Sequence, residues 1–573
     1  MSTKTIILAS LAAFCFSQTI KAQNTTIPIL RTNSKEISVI HDGRKQTKWY
    51  VSPEVKCDSL FTTGGEIMLC SDNDSLTIRT GKPWDTTDIA IVTNSGDTAY
   101  TRIIRKPTNI YTNPPKHLLT VNNGILTKEQ AKFDINSLIY ALLEIHPDIF
   151  SVAGHKKIMS AFNETLGNLP DSLTTIELYK RVAPVVTLIG DGHTMTRFPY
   201  NDIFTDSLKR LPIYIGVMAD RNLVAETCID SIIPANSKIL SINSLSADSM
   251  ITAMLPYMSG EREFYRASRL DKQFAALFEM LYGGKAEYLI EYTEPGSDKV
   301  KKVSVPASTH KEMISRSPKA APKFEIQPYL FRIDTQKGIA IMEFNKCINP
   351  SKMTAFCDSM FKELTSHNIR KLIIDVRHNG GGDSRVGDVL LRRLAKKPFN
   401  QMACILAKVS PAAIERFGEG DPGMLFYEVP ESAYIQPLPN DKGHFDGETI
   451  LLTSNHTFSS ASSFANAFKE ADCGMIVGEE TGGMTVSFGD MMYWTMPVSG
   501  IVTTISYKRF WFMNSDEHDI HGVIPHIPTK AENALETAIK QLCLHSSYPR
   551  NFKCAYVTAT EGSQLYFFLP LRI

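Results

Sequence analysis

The residues best suited to chemistry lie in the run Ile450-Leu451-Leu452-Thr453-Ser454-Asn455-His456-Thr457-Phe458-Ser459-Ser460-Ala461-Ser462-Ser463-Phe464-Ala465. An apolar strand stops at small polar residues, and a helix follows directly on a serine. Such a turn holds a hydroxyl at a helix N-terminus, where unpaired N–H groups and the helix dipole favour a developing negative charge. His193, in Gly190-Asp191-Gly192-His193-Thr194, could activate that hydroxyl. An imidazole, with an unperturbed pKa of about 6.5, accepts and returns a proton near neutrality. A serine nucleophile with a histidine base is the chemistry of a serine hydrolase.

A second run, Leu372-Ile373-Ile374-Asp375-Val376-Arg377-His378-Asn379-Gly380-Gly381-Gly382-Asp383, places three glycines after a strand. Taken alone it is a tight strand-to-helix turn. It is not a phosphate loop, because the Gly-Lys-Ser/Thr ending is absent. Beside Ser459, the amide of Gly380 or Gly381 and the amide of Ser460 form a candidate oxyanion hole. His518, His521 and His526 have no metal-ligand spacing, no Cys-x-x-Cys occurs, and neither metal nor organic cofactor is implied.

These residues need elements to position them. Thr127-Lys128-Glu129-Gln130 and Thr174-Thr175-Ile176-Glu177 are capping boxes that open two helices. Pro184 marks an expected kink in the second, which runs into the His193 loop, so the helical segment spans 125–205. Residues 206–310 return to strands. The run Ile233-Pro234-Ala235-Asn236-Ser237-Lys238-Ile239-Leu240-Ser241-Ile242-Asn243 looks like the middle of a PDZ domain, a module that binds extended peptide by strand addition. From 320 to 545 strands and helices alternate, which argues an α/β layered domain. Residues 398–447 interrupt it and are a candidate insertion or lid. Residues 23–115 read as an all-β, sandwich-like module. Residues 546–573 show no periodicity and read as a tail.

The chain has 573 residues, 43% hydrophobic and 21% charged, with a formal net charge of +1. That balance gives no electrostatic case for nucleic acid or an anionic membrane. Residues 1–22 read as a signal peptide, with Lys4 before an apolar core from Ile6 to Phe16 and Ala22 before the cut. No later stretch is long enough to span a bilayer, so the expectation is an exported protein, periplasmic rather than secreted. Cys57 and Cys70 lie close in one β-rich stretch and are the expected disulfide among ten cysteines.

Together, Asp375-Val376-Arg377-His378-Asn379-Gly380-Gly381-Gly382, Thr457-Phe458-Ser459-Ser460-Ala461 and Gly478-Glu479-Glu480-Thr481-Gly482-Gly483 resemble peptidase family S41, over roughly 127–540. The family comprises the C-terminal processing and tricorn core proteases. The resemblance implies a multidomain α/β protein with a crotonase/ClpP-like catalytic domain and a peptide or unfolded-protein substrate. One branch activates serine with a lysine; here that place holds Met484, and a thioether takes no proton. Asp191-Gly192-His193-Thr194 is similar to the histidine-dependent, tricorn-like branch, although Gly192 stands where that branch has a serine. The resemblance also places an acid to orient the histidine before Gly522-Val523-Ile524-Pro525, with Asp519 as first candidate and Glu517 as second. A peptide-binding protein without catalysis and an esterase or acyl transferase are the competing readings on the same scaffold.

Overall fold

The computed structural model describes residues 114–544 apart from 123, 219, 318–326, 419–422 and 519–520, together with strands between 37 and 106. The 1–22 leader, the Cys57–Cys70 pairing and the 546–573 tail lie outside the described residues. Between 37 and 106, four strands form one sheet, in the order Ile37–Asp42, Thr98–Lys106, Thr86–Thr93, Cys57–Thr62, and three form another. Among the described residues, Cys228, Cys347, Cys357, Cys404, Cys473 and Cys543 are free thiols, and no helix is long and apolar enough to cross a membrane.

Both capping boxes form. Thr127 Oγ1 accepts from the Gln130 amide, and the Gln130 side chain accepts from the Thr127 amide. Thr174 and Glu177 repeat the arrangement. Each box satisfies two N–H groups that the first helical turn leaves without partners. The helix they open over Thr175–Thr187 runs through Pro184 and packs its Leu178, Val182 and Val186 face into the core. Residues 211–306 form a sheet ordered Ile213–Val217, Leu223–Cys228, Lys238–Ile242, Glu287–Thr293, Val300–Pro306. The helix Glu263–Leu270, which the strand pattern does not foreshadow, lies between its third and fourth strands in sequence.

The α/β part is a six-stranded sheet. Tyr329–Asp334 pairs antiparallel with Ile339–Phe344. Lys371–Asp375, Glu448–Thr453, Met475–Gly478 and Ile527–Pro528 then follow in parallel. Alternate side chains serve opposite faces, as the pleat requires. Met342, Leu372, Ile374, Leu451 and Ile476 pack under the helices Pro350–Ser366, Arg385–Leu394 and Ser460–Glu470. Ile341, Ile373, Ile450, Leu452 and Val477 pack under Ala534–Leu544.

A second sheet frames the site. Met195–Thr196, just after His193, pairs with the long strand Val502–Phe512, which also pairs with Val486–Thr495 and Met402–Val409. Residues 398–447 are thus more than a loop. They supply two strands of this sheet, Met402–Val409 and Gly423–Glu428, and the helix Pro411–Phe417. Asp134 fixes the hairpin to the first helix, accepting from the Val498 amide at 2.9 Å and the Ser499 amide at 2.7 Å. Lys408 reaches the C-terminal end of the same helix, donating to the carbonyls of Leu143 and His146 at 2.8 Å each.

Candidate active site

Ser459 occupies the N-cap of the helix Ser460–Glu470, with φ 55° and ψ −127°. A positive φ is strained for a residue with a Cβ and persists only where the surroundings impose it, at a cost of about 1–3 kcal/mol. The surroundings here are two laced loops. Thr457 Oγ1 donates to the Val376 carbonyl at 3.0 Å, and the Phe458 amide to the Asn379 carbonyl at 3.1 Å. Ser454 Oγ donates to the Arg377 carbonyl at 2.5 Å. From the other side, the Gly482 amide donates to the Thr457 carbonyl at 2.8 Å. The Gly478–Gly483 motif is therefore a brace for the serine turn. Glu479 contributes by accepting from the Asn455 amide at 3.1 Å.

His193 meets this serine from 266 residues away: its Nε2 lies 3.1 Å from Ser459 Oγ. The residue is only 8% exposed. Its carbonyl accepts from Thr504 Oγ1 at 2.7 Å, and its ring lies over Phe458 with centroids 4.6 Å apart. Met484, in the place where a lysine would stand, forms an isolated β-bridge with Gly522.

Of the two expected acids, one is described. Asp519 lies outside the described residues. Glu517 is turned to other partners: its Oε1 accepts from Trp511 Nε1 at 2.9 Å and lies 3.4 Å from Arg509 Nη1. The carboxylate beside His193 belongs to Asp191, two residues earlier and fully buried. Its Oδ1 accepts from the His193 amide at 2.8 Å and lies 3.7 Å from His193 Nδ1. Its Oδ2 accepts from Ser506 Oγ at 2.6 Å and lies 3.2 Å from His146 Nε2. Burial alone would raise this carboxyl, but hydrogen bonds and charge from His146 and His193 hold it well below the usual carboxylate range. The Asp-x-His spacing was in the sequence, but only the loop conformation turns the carboxylate back onto its own histidine.

Sequence reasoning also missed Glu261, just before the helix Glu263–Leu270. Its Oε1 accepts from the Gly192 amide at 3.2 Å. Burial, then repulsion from Asp191, pushes its carboxyl up to about 7. The same helix stacks Tyr265 on Phe458 at 4.3 Å and sends Arg269 Nη1 to the Gly192 carbonyl at 2.7 Å.

The candidate oxyanion amides divide. The Gly381 N–H donates to Asn379 Oδ1 at 2.9 Å and is committed to holding the turn. Gly380 is the exposed glycine beside it. The Ser460 N–H, at the first helical position, has no intrahelical acceptor. The Gly381 α-carbon sits close against this corner: a Cβ built on it would fall 2.8 Å from both Ser459 Cβ and Ser460 N.

An α/β scaffold that holds a serine at a strand–turn–helix junction under a buried imidazole has the architecture of a serine-type peptidase. Residues 338–529 match the family described as peptidase family S41. The protein is a serine-type peptidase. Among solved structures, mature CPAF in complex with lactacystin is 13% identical, with a TM-score of 0.51 over 73% of this chain and 97% of that one. Another structure of mature CPAF is 14% identical, with a TM-score of 0.50 over 72% and 95%. The photosystem II D1 C-terminal processing protease is 14% identical, with a TM-score of 0.37 over 72% and 96%. At such identities the likeness to the CPAF structures is one of fold.

Proposed function

We propose that the protein is an exported, histidine-dependent S41 peptidase that cleaves peptides or unfolded proteins through an acyl-enzyme. His193 Nε2 takes the proton of Ser459 Oγ as that oxygen attacks the scissile carbonyl. The amides of Ser460 and Gly380 receive the oxyanion. The imidazolium returns the proton to the leaving amine, and water, deprotonated by the same nitrogen, releases the acyl group. Asp191 is the ionised carboxylate that steadies the imidazolium. The PDZ-like segment at 206–310 presents an extended substrate chain.

The observation that carries this reading is the 3.1 Å approach of His193 Nε2 to Ser459 Oγ. The two residues have no local reason to meet, and the helical segment, the hairpin and the parallel sheet converge there. Incubation with an unstructured protein tests the proposal. Cleavage is expected from the native chain and not from Ser459→Ala or His193→Ala. Undiminished cleavage by Ser459→Ala would refute it. Hydrolysis of small esters by the native chain without peptide cleavage would move the reading to an esterase.

A further inference from the structure

His193 Nδ1 is buried and makes no hydrogen bond among the described residues, since Asp191 Oδ1 stands 3.7 Å away. Asp191 itself is well supplied with donors: an amide, a hydroxyl and the His146 ring. His146 Nδ1 accepts from the Asp148 amide at 3.1 Å, so its proton sits on Nε2 and points at Asp191. Across the Asp191–His193 backbone lies a second buried atom without a hydrogen-bond partner among the described residues, Glu261 Oε2. A Cβ on residue 192 would sit 3.1 Å from it, 2.7 Å from Phe458 Cζ and 2.9 Å from Tyr265 Cε1. The Phe458 and Tyr265 rings, with the Glu261 carboxylate beside them, therefore fill the space that a side chain at 192 would need, and Gly192 is what admits them.

We propose that Glu261 is a positioning residue for His193, supplied by the PDZ-like segment, which holds the Gly192 amide and in its ionised form adds to Asp191 in stabilising the imidazolium. The inference rests on the proposed roles of Ser459 and His193. Asp191 and His193 face Glu261 from the loop, Tyr265 from the following helix, and Phe458 from the serine turn. Neutral Glu261 has no charge to offer the imidazolium. Its ionisation, near neutrality, adds one. A pair of carboxyls with opposite environments thus divides the work: one is always charged, the other charges as pH rises.

The test is the ratio of kcat/KM for native enzyme to Glu261→Gln across pH, on one peptide substrate. The ratio is expected to lie near one at about pH 5.5 and to rise to roughly tenfold or more above about pH 8. Glu261→Asp is expected to recover part of the alkaline rise. A ratio that is constant across pH would assign Glu261 a structural role only and overturn the proposal. Should Glu261→Gln not fold, the Glu261→Asp profile decides, because an unshifted profile overturns the proposal equally. Ser459→Ala is run alongside: if it retains activity, the serine assignment fails, not the Glu261 one.

Discussion

Asp191 Oδ2 and His146 Nε2 face each other at 3.2 Å, with both side chains fully closed off from solvent. The contact joins the end of the Lys128–Ile145 helix to the loop that carries His193. It is one of three donors keeping Asp191 charged. Replacing Asp191 by Asn removes the charge and keeps the shape, and kcat is expected to fall about 10²–10⁴-fold with little change in KM. His146→Asn should give a smaller loss in the same direction. Steady-state kinetics on one peptide substrate decides. An unchanged kcat for Asp191→Asn would show that another acid orients the histidine.

Asp191 and Glu261 should leave opposite marks on stability. Asp191 has a folded pKa below its unfolded value of about 3.9. It therefore stabilises the fold above that pH, and the contribution is lost as pH falls through the folded pKa. Glu261 has a folded pKa of about 7, above an unfolded value of about 4.3. The unfolded chain loses that proton first, so stability falls as pH rises between the two values. Thermal unfolding against pH is expected to show Asp191→Asn with a shallower acid loss. Glu261→Gln is expected to lose less stability between about pH 5 and about pH 7.5.

The turn opposite Ser459 depends on Asn379. Its Nδ2 donates to the Phe344 carbonyl at 2.9 Å, its Oδ1 accepts from Gly381, and its carbonyl accepts from Phe458. Asn379→Ala takes the side-chain partner from the buried Phe344 carbonyl and Gly381 amide, a cost of about 1–3 kcal/mol, and loosens both loops that set the oxyanion amides. We expect a loss of about 10²-fold in kcat. Gly381 has φ +94°, and a Cβ there would come 2.8 Å from the Phe458 carbonyl oxygen. Gly381→Ala should therefore abolish turnover while the protein remains folded by circular dichroism.

The backbone of Ser459 gives a prediction of its own. Alanine keeps the Cβ that makes φ 55° costly, whereas glycine adopts it freely. Both variants are expected to be inactive. Ser459→Gly should be the more stable of the two by about 1 kcal/mol, read from denaturant midpoints. The opposite order would mean that the turn is not strained.

Much of the site could be read from the chain because its signals are local. An apolar strand ending in Ser454 to Ser459, three glycines after Asp375, and glycines flanking Asp191 and His193 each announce a turn by composition. The two capping boxes are likewise local, and both form. What could not be read depends on tertiary placement. Glu261 lies in the polar stretch Ser259-Gly260-Glu261-Arg262-Glu263, which reads as a solvated loop until the Asp191–His193 loop and the Phe458 turn close over its carboxylate. The strand Met402–Val409 pairs with Val502–Phe512, about a hundred residues on, so no short-range pattern reports it. The carboxylate of Asp191, two residues before His193 in the same motif, stands 3.7 Å from the imidazole, a placement that depends on how the loop folds back.

The claim that Ser459 is a nucleophile activated by His193 is tested most directly by labelling with a fluorophosphonate at neutral pH and locating the adduct by peptide mass spectrometry. The expected result is one adduct per chain, on Ser459, absent from Ser459→Ala and formed far more slowly in His193→Ala. An adduct on another residue, or labelling of Ser459 at an unchanged rate without His193, would contradict it.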